Sequence, residues 1–146
     1  MTFDVHDATR VLTEIRVPQH VMDDIDAHAR EAWPNECCGL LVGSANAIAA
    51  SFRARNERSS PTRYQIAPED HFAAIRHARA RELKVIGAYH SHPSSSPVPS
   101  STDVIESISG DFLYLIHGRE SSSSSSIRAW RIVDGNFRAV PLVTVR

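Results

Sequence analysis

The stretch that decides the fold is Lys84-Val85-Ile86-Gly87-Ala88-Tyr89-His90-Ser91-His92-Pro93, followed by Ser94-Ser95-Ser96-Pro97-Val98-Pro99-Ser100-Ser101-Thr102-Asp103. Lys84 to Tyr89 is a short apolar run and reads as a buried strand. Pro93 to Pro99 holds three prolines and three serines and reads as a loop. Ser100 to Ile108 reads as a helix. His90 and His92 therefore stand two apart at a strand end. Side chains at i and i+2 project from one face of a strand, so both imidazoles can meet one ion. Asp103, in the first turn of the next helix, can bring a carboxylate oxygen to the same point. Two imidazoles and one carboxylate make three ligands and leave the fourth tetrahedral position to water, the pattern of a catalytic zinc. Each half has a plainer reading alone. A lone His-x-His is more often a surface pair, and Ser100-x-x-Asp103 behind a proline is a helix cap. The metal reading rests on the combination.

Working outward, Glu14 to Val17 alternates polar and apolar residues and predicts a short strand. Pro18 opens a helix in which Val21, Ile25, His28, Ala29 and Ala32 share one face. That helix stops by Trp33-Pro34, because the residue before a proline disfavours helical geometry. Cys38 to Val42 reads as a buried strand ending at Gly43, joined through Ser44-Ala45-Asn46 to a strand over Ala47 to Arg55. Arg63 to Ile66 predicts a short edge strand. Pro68-Glu69-Asp70 opens a second helix with Phe72, Ile75 and Arg79 stepping along it, since proline and acids suit a first turn. Phe112 to Ile116 reads as a strand. The serines at 121 to 126 read as a mobile, dispensable linker. Ile127 to Val133 and Asn136 to Val145 predict a closing hairpin around Asp134-Gly135. Residues 1 to 10 read as a frayed start. Helices that interleave with partly hairpin-linked strands predict an α/β (α+β) mixed sheet flanked by helices, in one domain.

Composition narrows the function. The 146 residues carry 16 basic and 17 acidic side chains, a formal charge of −1. That excludes a broad basic face for gripping nucleic acid or an anionic membrane by charge. No apolar run approaches the roughly 20 residues that span a bilayer, and the charged N-terminus does not resemble a signal peptide. The two cysteines, Cys37 and Cys38, are adjacent, so neither a disulfide framework nor a C-x-x-C zinc site is expected, and a cytoplasmic location follows. No feature of the composition bears on oligomeric state.

The spacing His-x-His-x7-Ser-x-x-Asp, with Glu36 upstream, resembles the JAMM metalloproteases, also called the MPN-plus family. Gly87-Ala88-Tyr89 and Pro34-Asn35-Glu36-Cys37-Cys38-Gly39-Leu40-Leu41-Val42-Gly43 are similar to its short prokaryotic members. The similarity covers nearly the whole chain. The serine run departs from the pattern, in a loop distant in sequence from the motif. The resemblance implies a single MPN/JAB-like catalytic domain over 1–146 that holds one zinc ion through His90, His92 and Asp103. It implies that Glu36 is the general base, shuttling a proton from zinc-bound water, and that Ser100 hydrogen-bonds the developing oxyanion. It further implies hydrolysis of an amide at the C-terminal tail of a ubiquitin-like or sulfur-carrier protein ending in Gly-Gly, with cysteine or lysine as leaving group. Two other readings are a non-catalytic MPN module that only binds partners, and a JAMM hydrolase with an unrelated substrate.

The remaining candidates read as structural. His71 and His77 fall on different helix faces and are expected at the surface. His117, at a strand end, is expected to be structural, and His6, His20 and His28 carry no partner pattern. Cys37 and Cys38 are expected to be small buried residues, with no nearby base to lower a thiol pKa. The serines at 94 to 96 are expected to serve loop flexibility, and Trp33 and Trp130 to be core or edge aromatics.

Overall fold

The computed structural model describes residues 13–106 and 110–146. The expected frayed start and the C-terminal end of the third helix lie outside the described residues. The elements, in chain order, are β1 (Ile15–Pro18), α1 (Gln19–Ala32), β2 (Cys38–Ser44), β3 (Ala47–Ala54), α2 (Pro68–Arg79), β4 (Lys84–Ser91), α3 (Ser101–Glu106), β5 (Gly110–Arg119), β6 (Ser125–Val133), β7 (Asn136–Val140) and β8 (Leu142–Val145). The strands form one mixed sheet in the order β7-β6-β5-β4-β2-β3-β1-β8. β4 and β5 run parallel, with α3 between them in the chain.

The sheet is covered on both sides, which is why β2 is buried from Cys38 to Gly43 without alternation. Consecutive residues of a strand face opposite ways, so Leu40 and Leu41 open onto different layers. Leu41, Tyr89, Leu113 and Leu115 pack with Val21, Ile25 and Ala29 of α1 in the larger core. Leu40 and Ala88 pack with Ala74 of α2 in the smaller one. The face of α2 that meets the sheet is Ala74 and Ala78, and Phe72 is 60% exposed. Two helical steps turn about 200°, so Phe72 and Ala74 cannot share a face. The expected Phe72 face is corrected accordingly.

Three other expectations are corrected. Arg63 to Ile66 forms no strand; a single antiparallel bridge joins Asn56 to Ile66. The final strand is two. Pro141 has no N–H to donate, β7 stops before it, and β8 crosses to the far edge to pair with β1, where Ile15 N–H donates to Pro141 O at 2.8 Å. The serine run is not a linker: β5 and β6 pair as far as Arg119–Ser125, so the last two serines belong to β6. The turn between them is held by Glu120 N–H donating to Ser124 O at 3.0 Å and by a Ser121–Ser124 hydroxyl pair at 2.8 Å.

Candidate metal centre

β4 delivers the two histidines. It pairs with β2 so that His90 faces Cys38, and with β5 so that His90 faces Ile116. His90 is 1% exposed and His92 6%. Their Nε2 atoms lie 3.2 Å apart. Asp103 Oδ2, from the first turn of α3, lies 3.2 Å from His90 Nε2 and 3.0 Å from His92 Nε2. These three atoms form a nearly equilateral triangle. Ligand atoms at 2.0–2.1 Å around a tetrahedral ion stand about 3.3 Å apart, so the triangle has the size of one face of such a shell. The donor chemistry, two imidazoles and a carboxylate, fits zinc with one position left open. The predicted triad is thus brought together by the fold.

The supports of the triad explain why it converges. His92 N–H donates to His117 O at 2.7 Å, and the His92 ring uses Nδ1 on Ser96 O at 2.9 Å. A proton on Nδ1 leaves Nε2 as the nitrogen turned towards Asp103. The carbonyl of Ser96 is held in turn. Arg119 N–H donates to Ser95 O at 2.7 Å, Arg119 Nε to Pro93 O at 3.0 Å, and Trp130 Nε1 to Pro97 O at 3.0 Å. Gly118 lets the loop sit down on β5: a Cβ there would stand 2.4 Å from Pro97 N. Serines 94–96 therefore belong to a fastened loop, contrary to the expected flexibility. Ser100 and Asp103 cap each other. Ser100 N–H donates to Asp103 Oδ2 at 2.9 Å and Asp103 N–H to Ser100 Oγ at 3.2 Å. The capping reading of this pair is realised, and the cap orients the carboxylate towards the two imidazoles.

Electrostatics follow from the crowding. Burial pushes the Asp103 carboxyl upward, but hydrogen bonds from His90 and His92 outweigh it and hold the group well below the usual carboxylate range. Burial lowers His90, with Asp103 opposing. Burial also lowers His92, yet the Asp103 and Ser96 bonds win and its pKa is raised.

Glu36 is 4% exposed and precedes β2 by two residues, on the same face as Cys38 and hence as His90. Continuing that register puts it across from His92. Cys37 O accepts from Ser91 N–H at 3.1 Å and Cys37 N–H donates to Ser91 Oγ at 2.8 Å, which ties the two chains together there. Burial pushes the Cys37 thiol up to about 11 and that of Cys38 to about 12, as expected of packing residues and not of nucleophiles.

The sequence reading missed two residues. Tyr64 stacks on His90 with ring centroids 4.4 Å apart and planes at 18°. Asn56 Nδ2 donates to Glu36 O at 3.1 Å and to Arg63 O at 3.0 Å, while its Oδ1 accepts from Arg58 and Gln65, both at 3.0 Å. It pins the 57–66 loop, and so Tyr64, to the centre. Both residues act across long sequence separations, and no short motif marks them. Three histidines and a tryptophan also differ from expectation in part. His28 Nδ1 meets Tyr89 Oη at 2.7 Å, and the His77 ring packs edge-on against Phe52. His117 is structural, bonding Asp26 Oδ1 at 2.9 Å, but it also lines a hollow beside His92. Trp33, expected in the core or at an edge, is 60% exposed and lines the same hollow. The serine run, distant in sequence, reaches it as well.

A family model described as prokaryotic homologs of the JAB domain matches residues 18–133. The chain belongs to this family. Among proteins similar to this JAB-domain chain is a desampylase of Haloferax volcanii, 35% identical over 101 residues, which are 64% of this chain and 73% of that one. The CysO-cysteine peptidase of Mycobacterium tuberculosis is 29% identical over 121 residues, 82% of this chain and 83% of that one. In three dimensions, the solution structure of protein DSY2949 from Desulfitobacterium hafniense aligns with a TM-score of 0.81 at 24% identity, over 90% of this chain and 93% of that one. That likeness shows the fold. Among the described residues, no helix of this JAB chain is long and apolar enough to cross a membrane.

Proposed function

We propose that this chain is a zinc-dependent hydrolase of JAMM type that cuts an amide at the C-terminal tail of a ubiquitin-like or sulfur-carrier protein. The observation that carries the reading is the buried triangle of His90 Nε2, His92 Nε2 and Asp103 Oδ2, edged at 3.0–3.2 Å, with buried Glu36 on the same face. Zinc, when bound by these three residues, polarises a carbonyl and makes water a nucleophile near neutral pH. Glu36 takes a proton from the attacking water and returns it to the leaving nitrogen. Ser100 Oγ accepts from Asp103 N–H and donates to no acceptor among the described residues, so the hydroxyl can donate to the developing oxyanion. A carrier tail is favoured by the names of two relatives, the desampylase and the CysO-cysteine peptidase. A Gly-Gly end suits the approach to a centre whose His90 is already covered by the Tyr64 ring, because glycine adds no side chain to that gap.

Glu36→Gln tests the reading. Glutamine keeps the shape of the side chain but cannot accept the proton, and general-base catalysis is worth typically 10²–10⁴-fold. The variant should hold about one zinc per chain and bind a carrier–cysteine or carrier–lysine conjugate with near-native affinity. Its turnover, followed by intact-mass spectrometry, should fall by about that factor. Turnover near the native rate would remove Glu36 from the mechanism.

A further inference from the structure

Two hollows border residues of the donor triangle or residues packed on them. One, of about 450 Å³, is walled by Tyr64, which stacks on His90, and by Phe112 and Tyr114. The other, of about 520 Å³, abuts the triangle at His92 and is walled by Arg30, Trp33, Arg119 and serines 122–125. The mechanism above leaves the second hollow without a role. Its volume is that of a small-molecule site and is too small for a folded partner. Its charge is the informative feature. Its lining carries two guanidinium groups, of Arg30 and Arg119, and one carboxylate, Asp26, which is already shared between His117 Nε2 at 2.9 Å and Arg30 at 3.0 Å. Arg119 donates only to neutral carbonyls, Pro93 O at 3.0 Å and Ser122 O at 3.3 Å, and forms no ion pair among the described residues. These bonds fix Nε and Nη1 and aim a positioned cation at the hollow. Exposed serine hydroxyls add donors, and Trp33 adds an apolar wall.

We propose that this hollow seats the leaving side of the scissile amide, and that the leaving group is an amino acid or short peptide with a free α-carboxylate, received by Arg119 with Arg30 at the rim. The proposal rests on the hydrolase reading above. An amide laid across the triangle has an acyl side and an amine side. With the acyl tail along Tyr64 and His90, the amine side falls at His92. Water adds to the carbonyl carbon, the C–N bond breaks, the acyl carbon keeps the water oxygen as a carboxylate, and the nitrogen leaves with the proton. The α-carboxylate of the leaving group is unchanged throughout and serves only as a handle. A lysine side chain within a folded protein brings no carboxylate to Arg119.

Trp33 provides a binding readout separate from turnover. The zinc-loaded protein is titrated with N-acetylalanine and with N-acetylalaninamide while tryptophan fluorescence is followed, with Trp33→Phe as the control that loses the signal. A charge-assisted hydrogen bond predicts that the acid binds at least about tenfold more tightly than the amide. In parallel, kcat/KM is measured by mass spectrometry for carrier conjugates ending in a free amino acid, in its carboxamide, and in an ε-linked lysine of a folded protein. The acid form should be cut at least about tenfold faster than the other two, and Arg119→Gln should shrink both preferences to within about threefold. Equal binding of acid and amide by the native protein would overturn the proposal without any variant, as would an undiminished preference in an Arg119→Gln protein with a native circular-dichroism melt. Equal cleavage of all three conjugates would overturn the carboxylate site and leave the hydrolase reading standing. Acid-selective binding with no conjugate cut would sustain the site and overturn the hydrolase reading.

Discussion

At the scale of single residues, His92 is held at three points. Its backbone N–H is held by His117 O, its Nδ1 by Ser96 O, and its Nε2 faces Asp103 Oδ2 at 3.0 Å. Replacing it by alanine removes one corner of the triangle while both cores, built from other residues, stay intact. His92→Ala should therefore melt cooperatively but carry only a small fraction of the native zinc in elemental analysis. Full zinc in a folded variant would contradict the ligand assignment. The convergence of His90, His92 and Asp103 was legible in the sequence because strand pleat and loop punctuation act locally: His-x-His at a strand end and an acid in the next first turn leave little geometric freedom. Tyr64 and Asn56 were not legible. Tyr64 reaches its partner across 26 positions, and Asn56 fastens Glu36 across 20. Only the folded sheet brings those partners together. The same holds for Trp33 and His117, whose hollow exists only once α1 lies beside the ends of β4 and β5.

At the scale of elements, two contacts carry testable consequences. Gly118 of β5 lies under the loop that supports His92, where an added Cβ would press on Pro97 N at 2.4 Å and on Ser96 C at 2.6 Å. Backbone atoms must then move. Gly118→Ala should cost about 1–3 kcal/mol in denaturant unfolding and weaken zinc retention as well, since Ser96 O orients His92. Native values of both would show that the loop is free of β5. Farther away, Asp70 of α2 accepts the Arg55 backbone N–H at 2.7 Å just past the end of β3, and this bond holds its carboxyl below the usual range. A depressed carboxyl contributes stability above the ordinary aspartate value of about 3.9 and loses it as pH falls through the lower folded value. Asp70→Asn should cost about 1 kcal/mol at pH 7, read from urea midpoints, and the gap to the native protein should narrow below about pH 4. A gap independent of pH would rule out the charged form as the source. Element positions were legible where the local signal was strong, as in the helical period of α1 and the continuous apolar run of β2. They failed where a tertiary choice overrode a local signal: Pro141 sends β8 to the other edge, and the serines, polar by composition, pair as strand because β5 offers them a partner.

At the scale of the whole molecule, one mixed sheet unites segments from Glu36 to Asp103 at a single point, and its two faces divide the labour. The α1 face holds the larger core, with the arginine-walled hollow at the strand ends beside α1. The α2 face holds the smaller core and the Tyr64 groove, and the His90–His92–Asp103 triangle lies where β4 ends, with His92 also lining the arginine-walled hollow. The mixed sheet and its flanking helices were legible from the alternation of elements. The seating of the serine turn beside His92 was not, because nothing in a run of identical residues marks which wall it joins. The central claim is that this arrangement hydrolyses a carrier–amine amide with a metal held by His90, His92 and Asp103. The most direct test is the intact mass of the carrier product after reaction in water enriched in oxygen-18, with native, chelator-stripped and zinc-restored protein. The account predicts one heavy oxygen in the new carrier carboxylate with native and zinc-restored protein, and no cleavage with the stripped protein. An unlabelled product, or cleavage that persists after the metal is removed, would contradict it.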